Sequence, residues 1–165
     1  RSILPPAMTN QHTKHLLIVF HSKTGRTKKL VGAAYKGCVD PALDPVEVRL
    51  LTSNEAAADD LLWADGLLLA TPENFGYMSG AMKDFFDRTF YEVEGKLIAL
   101  PYALLISAGN DGSGAERAIQ RIANGYPFKQ VAGTLISKGE VSDQDLAKAR
   151  EIGMTLAAGL ALGMY

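Results

Sequence analysis

One cysteine, Cys38, occurs in 165 residues, which excludes a disulfide framework and a cysteine-built metal site. The low-molecular-weight phosphatase arrangement is excluded too, because at C-x5-R spacing Cys38 is followed by Asp44. No sign of charge dominates: 17 Lys+Arg stand against 18 Asp+Glu, a net of -1. That removes nucleic acid and anionic membrane as principal partners, since both need a basic surplus. No apolar run approaches the roughly 18 residues of a membrane helix. The apolar stretch Met154 to Tyr165 is too short and too rich in glycine, and reads as packed helix. The first fourteen residues are polar and proline-broken, with no signal-peptide core. They are set aside as an N-terminal tail (1–14), which leaves a cytoplasmic protein folded over 15–165. With 47% hydrophobic and 21% charged residues, the chain can bury a core and has the length of one domain.

Five apolar runs alternate with amphipathic ones. The predicted strands are His15–Phe20, Val46–Leu50, Gly66–Ala70, Tyr102–Ser107 and Val131–Ile136. Between them, Thr27, Leu30, Val31, Ala34 and Cys38 share one helical face. Met82, Phe85, Phe86 and Phe90 share another, and Leu146, Ala149, Ile152, Gly153, Leu156 and Leu160 a third. Ser113 to Glu116 reads as a capping box, while Thr52 to Glu55 and Ser142 to Asp145 fit a looser form.

Regular strand–helix alternation implies an α/β fold with a parallel sheet between two helical layers. Runs one, three and four are continuously apolar, as in strands covered on both faces. Run two alternates, with Val46, Val48 and Leu50 inward and Glu47 and Arg49 outward, so it belongs at an edge. Run five, with Gly133 and Thr134, suits the other edge. The expected order is 2-1-3-4-5, a three-layer sandwich around a five-stranded parallel sheet. Ligands of such sheets bind beyond the carboxyl ends of the strands, at the switch between strands one and three.

Three segments converge there. Ser22-Lys-Thr-Gly-Arg-Thr27 runs from strand one into the first helix. Its hydroxyls, its glycine and the helix N-terminus suit a phosphate. It is neither G-x-x-x-x-G-K-S/T nor G-x-G-x-x-G. Thr71-Pro-Glu-Asn-Phe-Gly-Tyr-Met-Ser-Gly80 follows strand three. Pro72 is expected to halt that strand, and Phe75, Tyr77 and Met78 offer apolar surface where loops are usually polar. Thr71 at the strand's end also rules out a receiver domain, which needs an acceptor aspartate there. Ala108-Gly-Asn-Asp-Gly-Ser-Gly114 follows strand four as a flexible wall. His21 is expected to satisfy a local hydrogen bond, and Cys38 to be a core residue.

This succession resembles the FMN site of flavodoxin-like proteins. Ser22 to Thr27 is similar to their S/T-x-T-G-x-T phosphate loop. Thr71 to Asp87 resembles the longer T-P-x-x-F-G-x-M-S-G-x-M-K-x-F-x-D signature of the WrbA-like, NAD(P)H-dependent FMN reductase and quinone reductase branch. The loop after strand four departs from that branch, reading Asn110-Asp-Gly-Ser113 without a histidine.

The resemblance implies FMN as cofactor. Ser22, Thr24, Gly25, Arg26 and Thr27 would hold its phosphate. Pro72, Asn74, Phe75, Gly76 and Tyr77 would border the ring, with Ala108, Gly109 and Asn110 as the far wall. It implies NADH or NADPH as electron donor, a quinone or similar acceptor, a homodimer or homotetramer, and no metal. No catalytic acid or base is assigned. A flavodoxin-type electron carrier is the rival, though such carriers are strongly acidic; a degenerate site serving only interaction is the third reading.

Overall fold

The structure is a computed structural model, and its described residues are 12–165. The rest of the expected tail lies outside them. His12 to Lys14 already join the fold, with the Lys14 carbonyl accepting from the Glu47 amide at 2.8 Å.

In chain order the elements are β1 (His15–Phe20), α1 (Arg26–Cys38), β2 (Glu47–Thr52), α2 (Ala58–Trp63), β3 (Gly66–Asn74), β4 (Tyr77–Met78), α3 (Gly80–Val93), β5 (Leu100–Ala108), α4 (Ser113–Gly125), β6 (Phe128–Gln130), β7 (Leu135–Lys138) and α5 (Asp143–Ala161). The sheet runs β2-β1-β3-β5-β6, with β7 also pairing β5. β6 lies beside Leu100–Tyr102, and β7 beside Leu105–Ala108. The expected fifth strand is therefore two short pieces separated by Val131–Thr134. In place of a continuous run, Gln130 folds over the break and donates to the Ala132 carbonyl and Thr134 hydroxyl.

Strands buried on both faces divide their side chains between two cores. Leu17, Val19, Leu67, Leu69, Leu104 and Ile106 meet α2, α3 and α4 through Leu61, Met82, Phe85, Phe86 and Ile119. Leu16, Ile18, Leu68, Ala70 and Leu105 meet α1 and α5 through Leu30, Val31, Ala34, Cys38, Leu156 and Leu160. Each large side chain so buried contributes ~1.5–3 kcal/mol. On the α1–α5 side the helices touch backbone to backbone. A Cβ on Gly37 would lie 2.0 Å from the Arg150 carbonyl oxygen, and one on Gly153 2.0 Å from that of Ala34.

Four local expectations are corrected. Leu50 is exposed, because no described residue covers its face of the edge strand β2 at that position, while Leu51 packs against the opposite core, as Trp63 does. Arg49 lies over the Trp63 ring at 3.9 Å and donates to Asp60 at 2.8 Å. Pro72 does not halt β3, which runs on to Asn74. The Ala70 carbonyl accepts from the His21 amide on the β1 side, so Pro72, two residues on, faces the same side beyond the end of β1, where no N–H is required. Met78 is core, not loop surface. The Thr52–Glu55 pattern closes a turn ahead of α2, whose own first turn is served by the Asp60 carboxylate, which accepts from the Ala57 amide at 2.8 Å. The Ser142–Asp145 box forms at α5 as expected.

No helix among the described residues is long and apolar enough to cross a membrane.

Candidate functional site

α1 begins without a side-chain cap. Gly25, at φ +99°, turns the chain into the helix, with open space where a Cβ would stand. The Lys28 amide donates to Ser22 Oγ at 3.2 Å. Among the described residues, the amides of Thr24, Gly25, Arg26 and Thr27 donate to no protein acceptor. The segment carries Lys23, Arg26, Lys28 and Lys29 and no acidic residue in the first turn. Cations at a helix N-terminus oppose its dipole, so this terminus is short of negative charge as well as of acceptors. A phosphate supplies both, and the residues present fit one.

Two of the expected contacts are already committed within the protein. Thr27 is buried, and its hydroxyl pairs with Ser107 Oγ at 2.7 Å, leaving its amide for a ligand. The Arg26 guanidinium reaches Glu140 at 2.8 Å. Thr24 is exposed, and Ser22 and Gly25 are half-buried.

β3 and β4 form a two-residue hairpin turn at Phe75 and Gly76, with φ of 52° and 71°. Two left-handed residues are what a tight hairpin demands, but a bulky aromatic at the first is uncommon. Phe75 is 108% exposed and Tyr77 41%. Asn74 pairs with Tyr77 at the base of the turn. Thr71 braces the hairpin from below by donating to the Pro72 carbonyl at 2.9 Å and accepting from the Ser79 amide at 3.0 Å.

Glu73 holds the turn in place. Its carboxylate accepts from the amides of Gly112 at 2.9 Å, Gly114 at 3.2 Å and Ala115 at 3.4 Å. The Ser113–Glu116 capping box does not form, because this acid from another loop takes the helix terminus. Gly114 lies so close to the turn that a Cβ would stand 2.0 Å from the Gly76 carbonyl oxygen. The two loops expected to flank a ligand are thus joined. Beyond them, β5 ends at buried Ala108, with Gly109 and Asn110 exposed. Asp111 accepts from the Ser113 hydroxyl at 3.0 Å and from its amide, bonds that hold its carboxyl below the usual range.

Glu73 and Ser107 were not singled out by sequence. Glu73 sits inside the quoted signature, but its partners are 39 to 42 residues away. Ser107 left a fainter signal, a hydroxyl ending an otherwise apolar strand. His21 does not make the expected hydrogen bond. Its Nδ1 is buried without a partner among the described residues, as is Ser53 Oγ one strand away. Cys38 is core, and burial pushes its thiol up to about 12.

The hollow lined by His12, Lys14, Asp44 and Leu162 is at the opposite, amino-terminal edge of the sheet, away from these three segments. A parallel sheet in this order, with a bare helix terminus after β1 and a braced aromatic turn after β3, defines the flavodoxin-like fold. Comparison with known proteins agrees. A flavodoxin of Aquifex aeolicus is 29% identical over 163 residues, covering 89% of this chain and 87% of that one. An NAD(P)H dehydrogenase (quinone) of Acidithiobacillus ferrooxidans is 27% identical over 124 residues, covering 63% and 62%. The crystal structure of a WrbA-like flavodoxin from Agrobacterium tumefaciens superposes with a TM-score of 0.71 at 19% identity, over 88% of this chain and 96% of that one. Residues 48–142 match the family described as NADPH-dependent FMN reductase. The chain belongs to that family of FMN-binding oxidoreductases.

Proposed function

We propose that the protein binds FMN at this edge and passes electrons from NADH or NADPH to a quinone or similar small acceptor. The observation that carries the reading is the meeting, at one edge, of four amides, Thr24 to Thr27, that donate to no acceptor among the described residues as the chain enters α1, and an exposed aromatic turn clamped by Glu73. The amides of Thr24 to Thr27, with the Ser22 and Thr24 hydroxyls, take the phosphate. Charge-assisted contacts of this kind are worth ~1.5–3 kcal/mol each. Pro72, Asn74, Phe75, Gly76 and Tyr77 border one side of the ring, and Ala108, Gly109 and Asn110 the other.

Bound there, FMN supplies the hydride-accepting and electron-passing chemistry. The protein orients the ring, keeps water from it with Phe75 and Tyr77, and offers amides where negative charge develops. No side chain of the edge is assigned a proton.

A second reading, a carrier without turnover of its own, is favoured by the likeness to the Aquifex aeolicus flavodoxin across most of the chain. The near-neutral charge speaks for the enzyme, since carriers steer to basic partners through acidic surfaces. Titration with FMN, read by quenching of flavin fluorescence, tests the site. Steady-state NAD(P)H oxidation with benzoquinone then separates the readings: turnover means enzyme, flavin uptake without turnover means carrier, and no uptake refutes both. A cytoplasmic homodimer or homotetramer is the assembly proposed, and sedimentation analysis tests it.

A further inference from the structure

From Ser22 to Val39 the chain places five of its 17 cations, Lys23, Arg26, Lys28, Lys29 and Lys36, and none of its 18 acids. Arg26 is paired with Glu140, while the four lysines form no ion pair among the described residues. Lys29 and Lys36, two helical turns apart on α1, line a hollow of about 420 Å³ between α1 and α5. Its floor is apolar, with Gly32 and Ala33 from α1 and Leu146 and Ala147 from α5. Arg150 also lines it but is held by Asp40. The α5 acids Asp143, Asp145 and Glu151 line no part of it. The hollow is therefore apolar below and positive at both ends.

Gly32 has no use within the protein's own packing. Gly37 and Gly153 are needed where α1 meets α5, since a Cβ on either would collide with the other helix. Gly32 is exposed, lies inside α1 at an ordinary helical φ, and has nothing within 4 Å of where a Cβ would stand. A glycine there weakens the helix relative to alanine. What it provides is a low saddle between two lysines, over which a second backbone can pass closely.

We infer that this groove receives an acidic amphipathic helix of a partner protein, its small apolar face on Gly32 and Ala33 and a carboxylate at each of Lys29 and Lys36. A rise of ~1.5 Å per residue sets the two lysines about 10 Å apart along α1, so a helix lying alongside meets them with acids seven residues apart. A membrane or duplex surface fits less well. The chain as a whole carries a net charge of -1, and the positive rim is confined to a groove with an apolar floor. The inference is independent of the proposed FMN reaction.

The probe is a fluorescein-labelled synthetic helical peptide with two glutamates seven residues apart on an alanine and leucine face. A twin carries lysines in their place, and fluorescence anisotropy measures both. The acidic peptide is expected to bind about tenfold or more tightly than its twin, and to weaken as salt is raised. Lys36→Glu is expected to cost the acidic peptide about tenfold and to improve binding of the twin, a reversal that loss of structure would not produce. Gly32→Gln is expected to abolish binding of both, while Gly32→Ala raises Tm by a few degrees. FMN affinity stays unchanged in the Lys36 and Gly32 variants, and Lys36→Gln serves should Lys36→Glu fail to fold. No binding, equal binding of the two peptides, or wild-type binding by Lys36→Glu and Gly32→Gln overturns the inference. So does binding to phosphatidylglycerol vesicles, or self-association in sedimentation, that is lost in Lys36→Glu while the peptide stays unbound; those results assign the face to a membrane or to a second copy. FMN uptake is measured separately, and its failure bears on the proposed function alone.

Discussion

Replacing Glu73 by glutamine removes one negative charge and turns one of its two accepting oxygens into a donor facing other donors. In the wild type, Oε1 receives the Gly112 amide at 2.9 Å, and Oε2 is shared by Gly114 at 3.2 Å and Ala115 at 3.4 Å. The last contact is long and adds little. A hydrogen bond to a charged group contributes ~1.5–3 kcal/mol, and a carboxylate at a helix N-terminus a further ~0.3–1 kcal/mol. Glutamine keeps one acceptor, so the expected loss is about 2–3 kcal/mol. In a chain of this length that lowers Tm by roughly 5–10 °C. The same change frees the turn bearing Phe75, and FMN affinity is expected to fall about tenfold, ~1.4 kcal/mol. Thermal unfolding and fluorescence titration measure the two effects. Asp65→Ala, which removes the carboxylate that accepts from the His15 amide at 2.8 Å at the amino-terminal edge of the sheet, is the control: it lowers Tm through the loss of a charged hydrogen bond worth about 1.5–3 kcal/mol and leaves FMN affinity alone. A Glu73→Gln protein with wild-type Tm would refute the clamp. One that is destabilised but binds FMN normally would refute its role in shaping the site.

Further outcomes follow from packing and titration. Gly153→Ala should destabilise by about 1–3 kcal/mol in denaturant unfolding, although alanine is the better helix former by ~1 kcal/mol, because its methyl collides with the Ala34 carbonyl; a gain in stability would show that α1 and α5 can part cheaply. Tyr126 is buried, donates to the Phe86 carbonyl at 2.7 Å, and has its hydroxyl pushed up to about 12 by burial. A raised acid stabilises the fold below its ordinary value and loses that contribution as pH climbs from about 10 to 12. Stability should therefore fall across that window, and fall less steeply in Tyr126→Phe. The Cys38 thiol, raised in the same way, should resist a disulfide reagent at pH 8 until the protein is unfolded; rapid labelling of the native protein would contradict its burial.

What could be read from sequence was whatever repeats locally. Leu16 to Val19 and Leu67 to Ala70 announced strands covered on both sides, and the spacing from Thr27 to Cys38 announced a helix packed along one face. The same logic ordered the sheet. It failed where the deciding partner is distant. Ser113 and Glu116 have the spacing of a cap, but Glu73 reaches that terminus first. Pro72 is a strand breaker only if its neighbour is present, and β1 has already ended. Val131 to Thr134 look apolar enough for a strand, yet the chain steps out of the sheet there and returns at Leu135. At the candidate site, sequence named the loops but not the bonds that join them.

The 2.7 Å contact between Thr27 and Ser107 ties the start of α1 to the end of β5 from inside the protein. A receptor braced in that way has its form before any guest arrives, so little chain entropy is lost on capture. Release then gains no speed from loosening at that junction.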